Sequence, residues 1–333
     1  MEKIKIITTI PKDKSDFDFK SDLLILTAGF EDRCTGILTY LDKGDITDID
    51  IILFSYIRQK SDLINSKNER NEKIIKRFLS NTNFRNIILN HNIPINTLTE
   101  FISFFENGQY SNVFIEISSM IDSFLVILLN YLLSKKISII KILYFTPKKY
   151  NVLESDGKWE SIRRTSYVSD IGPYEGIEGN FDPTKPTRII FIGGFEVNKV
   201  VAVIRKLEDS WITSHKLYLG KSSILDNREQ LAFSRKIHKE HLKIWLTEKD
   251  FELIECFDVK EIFEGLLSDI QFYRNSNNII LCCFGTKLQM VGCTLISNKI
   301  PEIMFLRVKM REYDPEKFSI GIGYPILVKI TPS

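Results

Sequence analysis

The chain has 333 residues, 44% apolar and 26% charged, which exceeds one ordinary core and has the balance of a water-soluble globular protein. Its 45 lysines and arginines against 43 acidic residues leave a formal charge of +2, too little to draw nucleic acid or an anionic membrane by bulk field. The longest apolar run, Ile121 to Leu133, is too short to span a bilayer and holds Asp122 and Asn130. The opening MEKIKIITTIPKDK lacks the apolar segment and cleavage site of a signal peptide. A cytoplasmic protein without a membrane partner is expected.

In chain order, Ser21 to Thr27 reads as a first apolar strand ending at Ala28-Gly29-Phe30-Glu31, with a helix from about Asp32 to Leu41. Ile49 to Tyr56 is a second strand, and Lys60 to Leu79 a charged, periodic helix. A short strand at Arg85 to Leu89, a helix at Leu98 to Glu106, a strand at Asn112 to Ile117, a helix at Ser119 to Leu133 and a strand at Ile139 to Phe145 complete the pattern. Near-continuously apolar strands alternating with helices mean a mostly parallel sheet covered on both faces. From Thr146 to Thr187 the character changes, with four glycines and four prolines and no helical period. This irregular segment is expected to be either a linker or an arm with its own hairpin, Arg163 to Val168 then supplying one hairpin strand.

The pattern then restarts. Strands are expected at Arg188 to Ile192, Lys216 to Leu219, Glu252 to Phe257, Ile279 to Cys283 and Ile303 to Val308, with helices at Val197 to Glu208, Ser223 to Trp245 and Val259 to Tyr273. A last strand pair, Phe318 to Ile322 and Pro325 to Ile330, is assigned to the second half. Residues 1–146 and 188–333 thus form two α/β units joined by an arm at 147–187.

The halves share landmarks. Gly29-Phe30-Glu31 and Gly194-Phe195-Glu196 each follow a first strand, 165 positions apart. Ser118 faces Gly285 at an interval of 167, and Tyr150 faces Tyr313 at 163. Two tandem Rossmann-like units related by internal duplication are the expected fold. In open parallel sheets ligands bind beyond the carboxyl ends of the strands, where Gly29 to Arg33, Ser118 to Met120, Gly193 to Glu196 and Gly285 to Lys287 fall. If the halves pack about a pseudo-twofold axis, these turns build one composite pocket.

Gly285-Thr286-Lys287 joins a buried strand to a helix start, a place suited to an anion. Its spacing is not that of a P-loop, and neither first strand precedes a G-x-G-x-x-G dinucleotide fingerprint. Five cysteines without C-x-x-C spacing (34, 256, 282, 283 and 293) read as buried thiols rather than a metal site. His238-Lys239-Glu240-His241 misses the zincin spacings and reads as a solvated helix face. No cofactor or metal is expected.

The turn Cys283-Phe284-Gly285-Thr286-Lys287-Leu288, with the loop after the first strand, resembles the CARF domain (the CRISPR-associated Rossmann fold) and its fused relative SAVED. The resemblance covers about a dozen residues per half. It implies a sensor that binds a cyclic oligonucleotide second messenger across paired Rossmann units, working in prokaryotic antiviral defence with an effector protein as partner. Gly285, Thr286 and Lys287 carry over onto the ligand turn. The first half departs from the pattern, with Ser118, Ser119 and Met120 and no lysine.

The ligand-binding set expected is Gly29, Phe30, Glu31, Arg33, Ser118, Ser119, Gly193, Gly194, Glu196, Gly285, Thr286 and Lys287, holding a phosphate-bearing small molecule or nucleotide. Glu31 and Glu196 either take ribose or base donors, or act as acid and base, or only complement a helix dipole. Arg33 meets an anion or pairs Asp32. Two other readings stay open: an enzyme that cleaves a nucleotide or nucleoside with Glu31 or Glu196, and a scaffold subunit of a multiprotein complex. Nothing in the sequence signals a nucleic-acid partner strongly.

Overall fold

The computed structural model describes residues 4–57, 61–90, 94–151, 165–207, 212–313 and 319–332. It is mixed α/β, with two compact units: Met1–Tyr150 together with Ser319–Ser333, and Asn151–Phe318.

The first unit holds a seven-stranded sheet. Its strands are β1 (Lys5–Thr9), β2 (Leu23–Ala28), β3 (Asp50–Tyr56), β4 (Phe84–Leu89), β5 (Asn112–Glu116), β6 (Ile139–Tyr150) and, from the far end of the sequence, β13 (Ser319–Thr331). The order is β1-β13-β6-β5-β2-β3-β4. The five strands from β6 to β4 are parallel, while β13 runs antiparallel to β6 and β1 antiparallel to β13. The chain reverses direction across the sheet between β2 and β5, where neighbouring strand ends open a crevice. A 3-10 helix, Asp32–Thr39, and helix α1 (Asp62–Phe78) cover one face, packing Cys34, Ile37 and Ile75 on Leu24, Leu26, Phe114 and Phe145. Helices α2 (Pro94–Phe105) and α3 (Asp122–Leu133) cover the other, where Phe54 lies 4.7 Å from Phe124 and 6.2 Å from Phe101. Fully burying each such ring stabilises the sheet by about 2–3 kcal/mol, and β2, β3 and β5 are apolar on both sides because both sides are covered.

The second unit repeats the strand order. Its strands are β7 (Thr165–Pro173), β8 (Thr187–Gly193), β9 (Ile212–Lys221), β10 (Phe251–Glu255), β11 (Asn278–Cys283) and β12 (Met304–Tyr313), arranged β10-β9-β8-β11-β12-β7. All pair in parallel except β7, which is antiparallel to β12. Helices α4 (Val197–Leu207) and α5 (Arg228–Leu242) pack together, as do α6 (Val259–Tyr273) and α7 (Lys287–Lys299). Gly292 of α7 admits Ile262 of α6, since a Cβ there would lie 2.5 Å from the isoleucine Cγ2.

Several expectations need correcting. The helix expected from about Asp32 to Leu41 is present, as a 3-10 helix that ends at Thr39. β6 runs on to Tyr150, and β7 joins the second sheet instead of closing a hairpin within an arm. Arg163 lies outside the described residues. The last stretch is one strand with a bulge between Ile322 and Pro325, and it belongs to the first unit, not the second. Proline sits at that irregularity because it has no N–H for the ladder. β1, which no sequence signal separated from its surroundings, exists because β13 offers it an edge.

Candidate functional site

In the first unit the residues expected at the strand ends do come together. Gly29 follows β2 and lies against the turn after β5: its N–H donates to Ser119 Oγ at 3.2 Å, and Ser119 Oγ donates to the Thr27 carbonyl at 3.1 Å. A Cβ at Gly29 would stand 2.6 Å from that of Ser119, so the two turns touch with no side chain between them. Asn71, buried on α1, donates to the Gly29 carbonyl at 2.8 Å. Tyr56 OH donates to the Ser119 carbonyl at 2.7 Å and accepts from Ile121 N at 2.9 Å. Ser118 is buried, with its hydroxyl accepting from Phe145 N at 2.8 Å. Phe30 is half-buried beside them.

Glu31 and Arg33 form an ion pair at 2.6 Å, with side chains only 11% and 8% exposed. Arg33 also donates to Tyr144 OH at 3.0 Å and to the Phe145 carbonyl at 2.9 Å. Burial works against its charge, but Glu31 together with Tyr144 and Tyr150 offsets this and the guanidinium stays protonated. The second Glu31 oxygen accepts from the Ser319 hydroxyl of β13. Asp32 pairs with Arg70 of α1, not with Arg33.

Beneath this pair lies a carboxyl that sequence reasoning passed over. Glu116, the last residue of β5, is completely buried. Its Oε1 accepts from Ser118 N at 2.9 Å and its Oε2 has no hydrogen-bond partner. Desolvation pushes its pKa up to about 7, although the Ser118 hydrogen bonds and Arg33 act in the opposite direction. An acidic residue inside the apolar run Val113-Phe114-Ile115-Glu116-Ile117 was the available signal.

In the second unit Gly193 ends β8 and Gly194 follows it, while Gly285, Thr286 and Lys287 follow β11, the adjacent strand. A Cβ on Gly194 would stand 2.2 Å from the Phe284 carbonyl oxygen, so these turns also meet backbone to side. Ser234 of α5 donates to the Gly194 carbonyl at 2.8 Å, the role Asn71 plays in the first unit. Glu196 pairs with Lys199 at 2.6 Å, both nearly buried, and the Lys199 ammonium lies 5.9 Å from the Phe284 ring centre. Thr286 caps α7 in a reciprocal box with Gln289: Gln289 N donates to Thr286 Oγ1 at 3.1 Å and Thr286 N to Gln289 Oε1 at 2.9 Å. Thr286 Oγ1 donates in turn to the Cys256 carbonyl at 2.6 Å. Glu255 accepts from Ser223, Cys256 and Phe257 amides at 2.7–3.0 Å, tying the ends of β9 and β10 together. This network holds Gly285 exposed and Lys287 half-buried at the first position of α7.

The histidine pair is corrected in part. His238 is fully buried, not solvated, and its Nε2 would lie 2.9 Å from a Cβ on Gly193. Burial lowers its pKa to about 4, so it is neutral, with Nδ1 donating to the Ser234 carbonyl at 2.8 Å. All five cysteines are free and buried. Among the described residues, no helix is long and apolar enough to cross a membrane.

Sequence reasoning also missed Lys199, Asn71, Ser234 and Ser319. Lys199 was legible from its i, i+3 spacing to Glu196, and Ser234 from its place 163 positions after Asn71. Ser319 left no signal. A comparison of the chain with protein-family models finds no match, and a comparison with curated proteins finds no relative.

Proposed function

We propose that the chain is a nucleotide sensor that binds a phosphate-bearing ligand of the cyclic oligonucleotide class at the carboxyl ends of its parallel strands, and serves antiviral defence with an effector protein. The observation that carries this reading is the Gly285-Thr286-Lys287 turn. It presents an exposed glycine, a capped helix start and a lysine beside the point where strand order reverses, and such a place favours phosphate.

Internal duplication of one Rossmann-like unit is part of the reading. Both sheets share the order of five parallel strands. In both, a polar side chain from the helix after the second of these holds the glycine carbonyl after the first. In both, the carboxylate two residues past that glycine pairs with a nearby cation. Paired so closely, Glu31 and Glu196 fit ligand orientation better than acid–base work.

The test is calorimetric titration with cyclic oligoadenylates, their linear forms and inorganic phosphate. Lys287→Ala is expected to weaken nucleotide binding by roughly 10- to 100-fold, the loss of a charge-assisted hydrogen bond worth ~1.5–3 kcal/mol. No binding by any of these ligands, or equal binding by the variant, rejects the proposal. Turnover of the nucleotide that Glu31→Gln or Glu196→Gln abolishes would instead favour the enzyme reading.

A further inference from the structure

β13 and β7 hold the same place in their sheets, antiparallel beside the fifth parallel strand, yet each arrives from the opposite part of the sequence. In the first unit the chain leaves β6 without supplying the next strand, and that strand forms from residues 319–331, after β12. In the second unit the strand beside β12 is β7, which follows β6. Each sheet's antiparallel strand therefore succeeds the other sheet's fifth strand in the sequence.

We infer that these strands are exchanged between the two units, and that the first unit is incomplete, in its sheet and in its candidate site, until β13 is seated. Ile326, Val328 and Ile330 of β13 are fully buried and stand opposite Tyr144, Ile142 and Ile140 of β6. β1 pairs with β13, so its place depends on the same strand. An unpaired β6 edge would expose a row of donors and acceptors together with apolar side chains. The occupant of that edge is residues 319–331 of this chain.

The site depends on the same strand. The Ser319 hydroxyl donates to Glu31, and Tyr324 N donates to Thr146 Oγ1 at 2.9 Å. Ile322 packs on the 3-10 helix that carries Arg33, where a Cβ at Gly36 would lie 3.0 Å from its Cγ2. β13 thus places one donor on the Glu31–Arg33 pair and one apolar group on the helix that presents it. Ser319 acts as a positioning residue for Glu31. Its relevance to ligand binding rests on the proposed sensor reading, whereas the exchange itself does not.

Hydrogen–deuterium exchange of the full chain without ligand tests both parts. Ile326→Ala is expected to speed amide exchange at least tenfold in β1, β6 and the Asp32–Thr39 helix while β8 to β11 keep wild-type protection. Loss confined to β13, or shared equally by β7 and β12, overturns the inference. Protection that varies with protein concentration would mean a strand from a second copy and would overturn it as well. Ser319→Ala is expected to speed exchange at residues 29–34, and Ser319→Thr to restore it. Unchanged exchange at 29–34 in Ser319→Ala rejects the positioning role. Because no ligand is present, failure of nucleotide binding leaves each outcome readable.

Discussion

Replacing Glu116 with glutamine is expected to remove most of the pH dependence of the first unit's stability between about pH 4.5 and 7. The carboxyl is completely buried with one oxygen unpartnered, and its pKa rises from 4.5 to about 7 on folding. Below pH 4.5 the group is protonated in both states and costs nothing. As pH rises the unfolded chain releases the proton while the folded one retains it, so the unfolded state binds fewer protons and stability falls. The loss is complete once pH passes the folded pKa, and it amounts to on the order of 3 kcal/mol. Glutamine keeps the acceptor for Ser118 N but cannot ionise. Its amide would lack a partner where Oε2 now sits, a pH-independent cost of about 1–3 kcal/mol. The slope is therefore the clean readout. Urea unfolding of both proteins at pH 5 and pH 8 should show a steep fall in the wild type and a flat response in Glu116→Gln. Parallel slopes would mean that the Glu116 proton is not what folding retains.

The second large effect is expected at Gly194. A methyl group there would meet the Phe284 carbonyl oxygen at 2.2 Å, and a backbone atom cannot swing aside as a side-chain tip can. Gly194→Ala must push the β8 turn away from the β11 turn, which carries Gly285 to Lys287. Overpacking of this kind costs about 1–3 kcal/mol. Gly172→Ala is the control, since nothing lies within 4 Å of a Cβ at that position in β7. Thermal melts should show Gly194→Ala lowered by several degrees and Gly172→Ala near wild type. An equal response from the two would show that the contact between turns is not what holds this end of the sheet.

Much of this architecture could be read locally. Leu23 to Thr27, Ile51 to Phe54 and Ile279 to Cys283 are buried on both faces, so their unbroken apolar runs announced central parallel strands. Gly29 and Gly194 stood out because a strand that ends in glycine before a helix start is distinctive. Edge strands were harder. β7 begins inside a segment rich in glycine and proline, and β1 has a half-exposed pattern that a surface loop also shows. The pairing of β13 with β6 joins residues about 180 positions apart, and no local pattern encodes a partner at that distance. The same limit hid Ser319, whose importance arises from a contact across 288 positions. Glu116 was visible as a charge in an apolar strand, but only the absence of a partner for Oε2 gives it meaning.

Late pairing of β13 also has a consequence during synthesis. A ribosome adding ~5–20 residues per second takes roughly 10–40 s to travel from the end of β6 to the end of β13. Through that interval the nascent first sheet has a bare edge at β6, whereas β12 finds β7 already made when it emerges. The half of the protein translated first is thus the half that finishes folding last. A chaperone that shields an open strand edge should accordingly act on nascent chains carrying residues 139–150, and its help should cease to matter once residue 331 has cleared the exit tunnel.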